Sequence, residues 1–196
     1  MKNHNDTIIK YAKHIEPLFE IYPEQEEFYN SLYEYFHGNE GELDINKGLI
    51  ITGSVGTGKT LAMKIFQRMG AHMNIISTRH IVREYMGDGV KILDKYGRKS
   101  FVLHPNGEVD MKKHVTYCFD DMLLEEVNSK FYGNQQNIMA EILLDRYDMF
   151  KRCALQTYAT TNADVKTLEA NYGTRVRDRI REMCNFVSLT GKSLRK

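Results

Sequence analysis

Eight residues, Gly53-Ser54-Val55-Gly56-Thr57-Gly58-Lys59-Thr60, constrain this chain more than any others. They satisfy the pattern G-x-x-x-x-G-K-[ST] at every specified position. Leu49-Ile50-Ile51-Thr52 before them is a short apolar, β-branched run that reads as a buried strand. After them, Leu61, Ile65 and Met69, with Met63 and Phe66, recur at helical spacing. Strand, glycine loop, helix is the order that phosphate binding needs. The glycines let the backbone curl until successive N–H groups point inward at an anion, and the positive end of the helix dipole faces the same anion. Lys59 adds a full positive charge for β- and γ-phosphates, and the Thr60 hydroxyl is placed to ligate Mg²⁺. The alternative is a glycine-rich turn with a solvent-facing lysine, and it explains neither flank. The expected ligand is a nucleoside triphosphate.

Composition mainly excludes. The 196 residues suffice to bury a sizeable core, and 42% hydrophobic with 27% charged residues is ordinary for a globular domain. No apolar run is long enough to span a bilayer. The segment Met1-Lys2-Asn3-His4-Asn5-Asp6 lacks the apolar stretch of a secretory signal, so a cytoplasmic protein without membrane partners is expected. A net charge of +1 leaves any nucleic-acid contact to a local patch. Cys118, Cys153 and Cys184 each sit in an apolar run and read as buried, reduced thiols.

Residues 1–46 read as a helical N-terminal extension. Ile8, Ile9, Ala12, Ile15 and Leu18-Phe19 give one stripe; beyond Pro23, Phe28, Leu32, Tyr35 and Phe36 give a second. After the glycine-loop helix, Met73–Ser77 reads as a strand, with Thr78 as a candidate cap for the helix that follows. Residues 87–114 read as an insertion, with a hairpin turning at Asn106-Gly107. The spacing also predicts a long helix over 133–150.

Three further stretches carry chemistry. Val115–Asp121 is an apolar strand ending in two carboxylates; Asp120 is the candidate Mg²⁺ ligand and Asp121 the group that orients or deprotonates an attacking water. Ala154–Thr160 is another strand, ending at Thr161-Asn162. Asn162 either reaches a γ-phosphate and the water, or caps the next helix with Ala163-Asp164. In 173–184, Val176, Ile180 and Met183 share a helical face; Arg179 and Arg175 edge it on one side, Arg177 and Arg181 on the other. Four arginines without a lysine favour planar phosphate contacts over a merely solvated face.

These stretches, in this order, resemble the AAA+ ATPases, and among them the DnaC/IstB group of helicase loaders and transposition helpers. The resemblance runs from about Lys47 to Arg195. It covers Gly53–Thr60 (Walker A), Phe119-Asp120-Asp121 (Walker B), Arg146-Tyr147, Thr161-Asn162 (sensor 1), Thr174–Ile180 (the arginine-finger segment) and the ending Gly191-Lys192-Ser193-Leu194-Arg195. It implies a P-loop three-layer α/β sandwich over 47–196, with a parallel five-stranded sheet of order 5-1-4-3-2, helices on both faces and no separate lid domain. It also implies ATP and Mg²⁺ as cofactors, Arg179 as a finger acting in trans on a neighbouring subunit's site, and Arg175 as its secondary partner. Most of the family carry Asp-Glu at Walker B; the shorter Asp121 implies slow or partner-dependent hydrolysis.

The function implied is an ATP-hydrolysing loader or helper, assembled head to tail as a homo-oligomer on single-stranded DNA and serving a replicative helicase or a transposase. Arg79, Arg83, Lys91, Lys95, Arg98 and Lys99 are candidates for the DNA backbone contacts, and read equally well as a solvated face. An ATP-gated adaptor without turnover and a small-molecule or nucleotide kinase are the competing readings.

Overall fold

In the computed structural model the described residues are 4–104, 106–123, 129–131 and 134–191, with 129–136 described as backbone only. The chain runs through α1 (Asn5–Ala12), α2 (Glu26–Phe36), β1 (Gly48–Thr52), α3 (Lys59–Arg68), β2 (Asn74–Ser77), α4 (Thr78–Asp88) and α5 (Val90–Tyr96). It continues through β3 (Phe101–Leu103), β4 (Val109–His114), β5 (Tyr117–Met122), β6 (Ser129–Phe131) and β7 (Asn134–Gln136). It closes with α6 (Ile138–Cys153), β8 (Tyr158–Thr161), α7 (Val165–Tyr172), α8 (Thr174–Met183) and β9 (Cys184–Ser188).

Five strands form one sheet in the order β2-β5-β8-β1-β9, every pairing parallel. Numbered along the chain, that is the order expected, 5-1-4-3-2, read from the other edge. The strand period of two divides the side chains between two cores. Leu49 and Ile51 of β1, Cys118 of β5 and Tyr158 of β8 face a core shared with α1, α2 and α3. Ile50, Phe119 and Ala159 face the other core, built with α4 to α8. With apolar side chains needed on both faces, a central strand reads as a continuous apolar run, as Leu49–Ile51 does. The P-loop α/β architecture follows from this alternation. The helices of the first forty residues supply Ile8, Ala12, Phe28, Tyr29 and Leu32 to the first core.

Between β2 and β5, α5 precedes an antiparallel β3–β4 hairpin. A second antiparallel pair, β6–β7, precedes α6. The expected helix over 133–150 therefore starts late: Asn134–Gln136 is extended, and α6 begins after Asn137, whose side chain accepts a hydrogen bond from Ala140 N at 3.0 Å. Asn137 is an N-cap of the preferred type. Cys118 and Cys184 are buried as expected, whereas Cys153, at the last position of α6, is exposed. Residues 192–195 of the expected C-terminal motif lie outside the described residues. Among the described residues no helix is long and apolar enough to cross a membrane.

Candidate nucleotide site

The glycine loop joins the end of β1 to the start of α3 and holds a conformation that its glycines permit. Gly53 has φ 149° and Gly58 φ 96°, both in the positive-φ region that other residues rarely adopt. At Gly53 space is limiting as well, since a Cβ there would lie 2.3 Å from the carbonyl oxygen of Leu189, just past the end of β9. Thr57 folds back to give its hydroxyl hydrogen to Ser54 O at 3.0 Å, while Val55 at the loop tip is 57% exposed. Gly58 is the N-terminal boundary of α3, so the first N–H groups of that helix open toward the loop. The Lys59 ammonium lies inside the curl, donating to Gly53 O at 2.9 Å and Ser54 O at 2.8 Å. It also donates to Asn162 Oδ1 at 2.5 Å.

The end of β5 lies beside this loop and is bulged. Phe119 pairs with Ala159 and Met122 with Thr161, so Asp120 and Asp121 together stand opposite the single residue Thr160. The extra residue turns the strand: Asp121 has φ 58° and Leu123 φ 71°. Thr160, fully buried, holds the bulge with one hydroxyl, accepting from Asp121 N at 2.9 Å and donating to Asp120 Oδ1 at 2.7 Å. The Thr78 hydroxyl donates to Asp121 O at 3.0 Å, so Thr78 braces Asp121 while Ser77 occupies the α4 cap position. Nothing in the sequence marked Thr160; a threonine inside a strand is ordinary, and its role exists only because of the bulge.

Thr60 and Asp120 meet directly, hydroxyl to carboxylate oxygen, at 2.7 Å. Two hard oxygen donors side by side at the end of a phosphate loop are the donor set that Mg²⁺ takes. Asp164 caps α7 by accepting from Thr167 N at 2.8 Å, which leaves Asn162 to the Lys59 side of the site. Gly56, Gly58, Lys59, Thr60, Asp121 and Asn162 line one cavity of about 520 Å³, a size suited to a nucleotide. Ile15 and Glu16, from the segment after α1, stand at its mouth.

No family model matches the chain. No curated protein sequence matches it either. Solved structures do. The DnaC helicase loader superposes with a TM-score of 0.57 at 17% identity, over 89% of this chain and 95% of that one. DnaI superposes with a TM-score of 0.58 at 21% identity, over 89% and 90% of the two chains. The replication initiator DnaA bound to AMPPCP and single-stranded DNA gives a TM-score of 0.58 at 16% identity, over 89% of this chain but 49% of that one. The chain shares the fold of these solved structures.

On this fold, α8 lies between α6 and α7, and its arginines divide accordingly. Arg177 turns to α7, bonding Glu169 at 2.7 Å, and also pairs with the adjacent Asp178. Arg179 turns to α6, with its guanidinium carbon 4.4 Å from the centre of the Tyr147 ring. Neither Arg179 nor Arg175 lines the nucleotide cavity. Arg175 is exposed, with no hydrogen bond or ion pair among the described residues. Of the six basic side chains from Arg79 to Lys99, three are occupied: Lys95 pairs with Glu84, Arg98 with Asp145 and Lys99 with Asp94. Arg79, Arg83 and Lys91 are exposed and have no ion pair among the described residues.

Proposed function

We propose that this chain binds ATP with Mg²⁺, hydrolyses it in a head-to-tail homo-oligomer, and works as a helicase loader or replication or transposition helper on single-stranded DNA. One observation carries the reading. Lys59, Thr60, Asp121 and Asn162 converge on one cavity with Asp120 beside it, while the candidate finger Arg179 and its partner Arg175, both on α8, do not line it. Lys59 and Lys64 are the cations lining the cavity, and among the described residues no arginine lines it. A site with a phosphate cradle, a metal ligand and a water-orienting carboxylate but no arginine suits completion by a neighbour.

In this reading the loop N–H groups and Lys59 bind the β- and γ-phosphates. Thr60 and Asp120 hold the metal, which supplies charge neutralisation at those phosphates. Asp121 accepts the proton of the attacking water, and Asn162 orients that water and the γ-phosphate. Arg179 of one subunit, backed by Arg175, stabilises the charge developing in the next subunit's site. DnaA, with the same fold, is seen with AMPPCP and with single-stranded DNA, and DnaC is a helicase loader. Arg79, Arg83 and Lys91, exposed and without an ion pair among the described residues, are the side chains proposed to meet a DNA backbone.

The test is binding of a labelled single-stranded oligonucleotide with AMPPCP and Mg²⁺ present, followed by anisotropy. Wild-type protein should bind, and its affinity should fall as salt is raised. Lys59→Ala should lose about 2–5 kcal/mol of nucleotide binding, and with it the nucleotide-dependent part of the DNA affinity. DNA binding that ignores nucleotide, salt and Lys59 alike would contradict the proposal.

A further inference from the structure

Arg179 is not loose on the surface. Its guanidinium lies over the face of Tyr147, 4.4 Å from the ring centre, and Nη1 donates to the Tyr147 hydroxyl at 2.9 Å. That hydroxyl in turn donates to Glu182 Oε2 at 2.7 Å, and Glu182 is anchored by Lys151 at 2.7 Å. Tyr147 itself is 8% exposed and belongs to the core beneath α6 and α8. A rigid, buried ring thus carries a charged group that stays 41% exposed.

The arrangement engages only one side of the guanidinium. The hydroxyl bond and the 3.8 Å approach to Glu182 both use Nη1. Among the described residues, Nε and Nη2 have no partner. Those two nitrogens form an edge that can grip a phosphate with two parallel hydrogen bonds. A latch that withdrew the arginine would occupy that edge; here it is left open, and the side chain's direction is fixed from behind.

We infer that Tyr147 is a positioning residue that pre-orients Arg179 for the nucleotide site of a neighbouring copy. The inference rests on the reading of Arg179 as a residue acting in trans. Through its ring Tyr147 limits the rotamers open to Arg179, and through its hydroxyl it fixes the plane of the guanidinium. Glu182 and Lys151 hold the hydroxyl from the far side. Orientation of this kind is costly to lose, since a displacement of about 1 Å in a catalytic group can lower turnover on the order of a hundredfold.

The experiment is steady-state ATP turnover of the full chain at saturating protein concentration, for wild type, Tyr147→Phe, Tyr147→Leu, Arg179→Ala and the Tyr147→Leu/Arg179→Ala double variant. Thermal unfolding and ATP binding of each variant are followed alongside. Tyr147→Leu should lower kcat about 10- to 100-fold with KM for ATP unchanged. Tyr147→Phe keeps the ring and should recover most of that loss. In the Arg179→Ala background Tyr147→Leu should cost nothing further, because it acts through the arginine. If Arg179→Ala lowers kcat and Tyr147→Leu lowers it by the same factor with or without the arginine, the tyrosine is a packing residue and the inference fails. An increase in kcat for Tyr147→Leu would make the contact a restraint on Arg179, and would also overturn it. Should Arg179→Ala itself leave kcat unchanged, the trans reading falls first.

Discussion

Arg146→Ala is expected to cost the fold about 4 kcal/mol or more, enough to remove most of the stability of a domain of this size. Arg146 is fully buried in α6, yet no carboxylate is among its hydrogen-bond partners. Its guanidinium donates to Thr157 Oγ1 at 2.9 Å, Val115 O at 3.0 Å and Gln156 O at 2.8 Å, with longer contacts to Tyr96 O and Ser100 Oγ. The stacked rings of Tyr117 and Phe119 have their centres 5.6 and 5.9 Å from its guanidinium carbon. Burial pulls its pKa down to about 10, so the group is still charged at neutral pH.

Val115 and Gln156 lie two residues before β5 and β8, so one side chain ties together the lower ends of the two strands whose upper ends carry Asp120 and Asn162. Removing it strands the part-buried carbonyls of Val115 and Gln156 and the buried Thr157 hydroxyl at once, each buried group costing about 1–3 kcal/mol when left without a partner. Arg146→Met refills volume but satisfies none of them; Arg146→Lys keeps the charge and loses the planar fork. Urea denaturation should rank stability as wild type, then Lys, then Met, then Ala. Equal midpoints for wild type and Met would show that the carbonyls find water and that the arginine is dispensable.

Asp121→Asn is the second large expected effect, on turnover rather than on stability. If Asp121 is the carboxylate that takes a proton from water, as proposed, removing it should lower kcat about 10²–10⁴-fold. ATP binding should change little, because Lys59, the loop and Thr60 are untouched. Stability should hold as well. Asp121 sits at φ 58°, and asparagine and aspartate are the side chains that tolerate this region best. The same φ accounts for the residue found here. Glutamate reaches further but has no short polar side chain to satisfy the local backbone. Asp121→Glu should therefore lose about 1–2 kcal/mol in denaturation while keeping turnover measurable. A kcat for Asp121→Asn close to wild type would remove Asp121 from the chemistry.

The site was legible in the sequence where its parts are local. The glycine loop, Lys59 and Thr60 are fixed by eight consecutive residues and the helix that follows. Asp120, Asp121 and Asn162 were legible as polar residues at the ends of apolar strands, although only the parallel sheet brings them together. The strand order itself is not in the periodicity and came from the family resemblance. Thr160 was hidden because its role depends on a bulge in the neighbouring strand. The start of α6 was misplaced because the polar run Asn134–Asn137 was absorbed into the helix, although Asn137 is an N-cap of the preferred kind. Arg146 and Tyr147 were legible as a pair worth noting. Their separate roles, one tying strand ends and one under Arg179, required the packing of α6.

The central claim, that one subunit's site is completed by the next, is tested most directly by mixing two inactive variants. Lys59→Ala has a disabled nucleotide loop and an intact Arg179; Arg179→Ala has the reverse. Each alone should turn over ATP at a small fraction of the wild-type rate. Mixed in equal amounts under assembling conditions, about a quarter of head-to-tail interfaces pair an intact loop with an intact Arg179. Turnover should rise toward that share of wild type and should increase with total protein concentration. Turnover in the mixture that merely averages the two separate variants, at every concentration, would contradict the account.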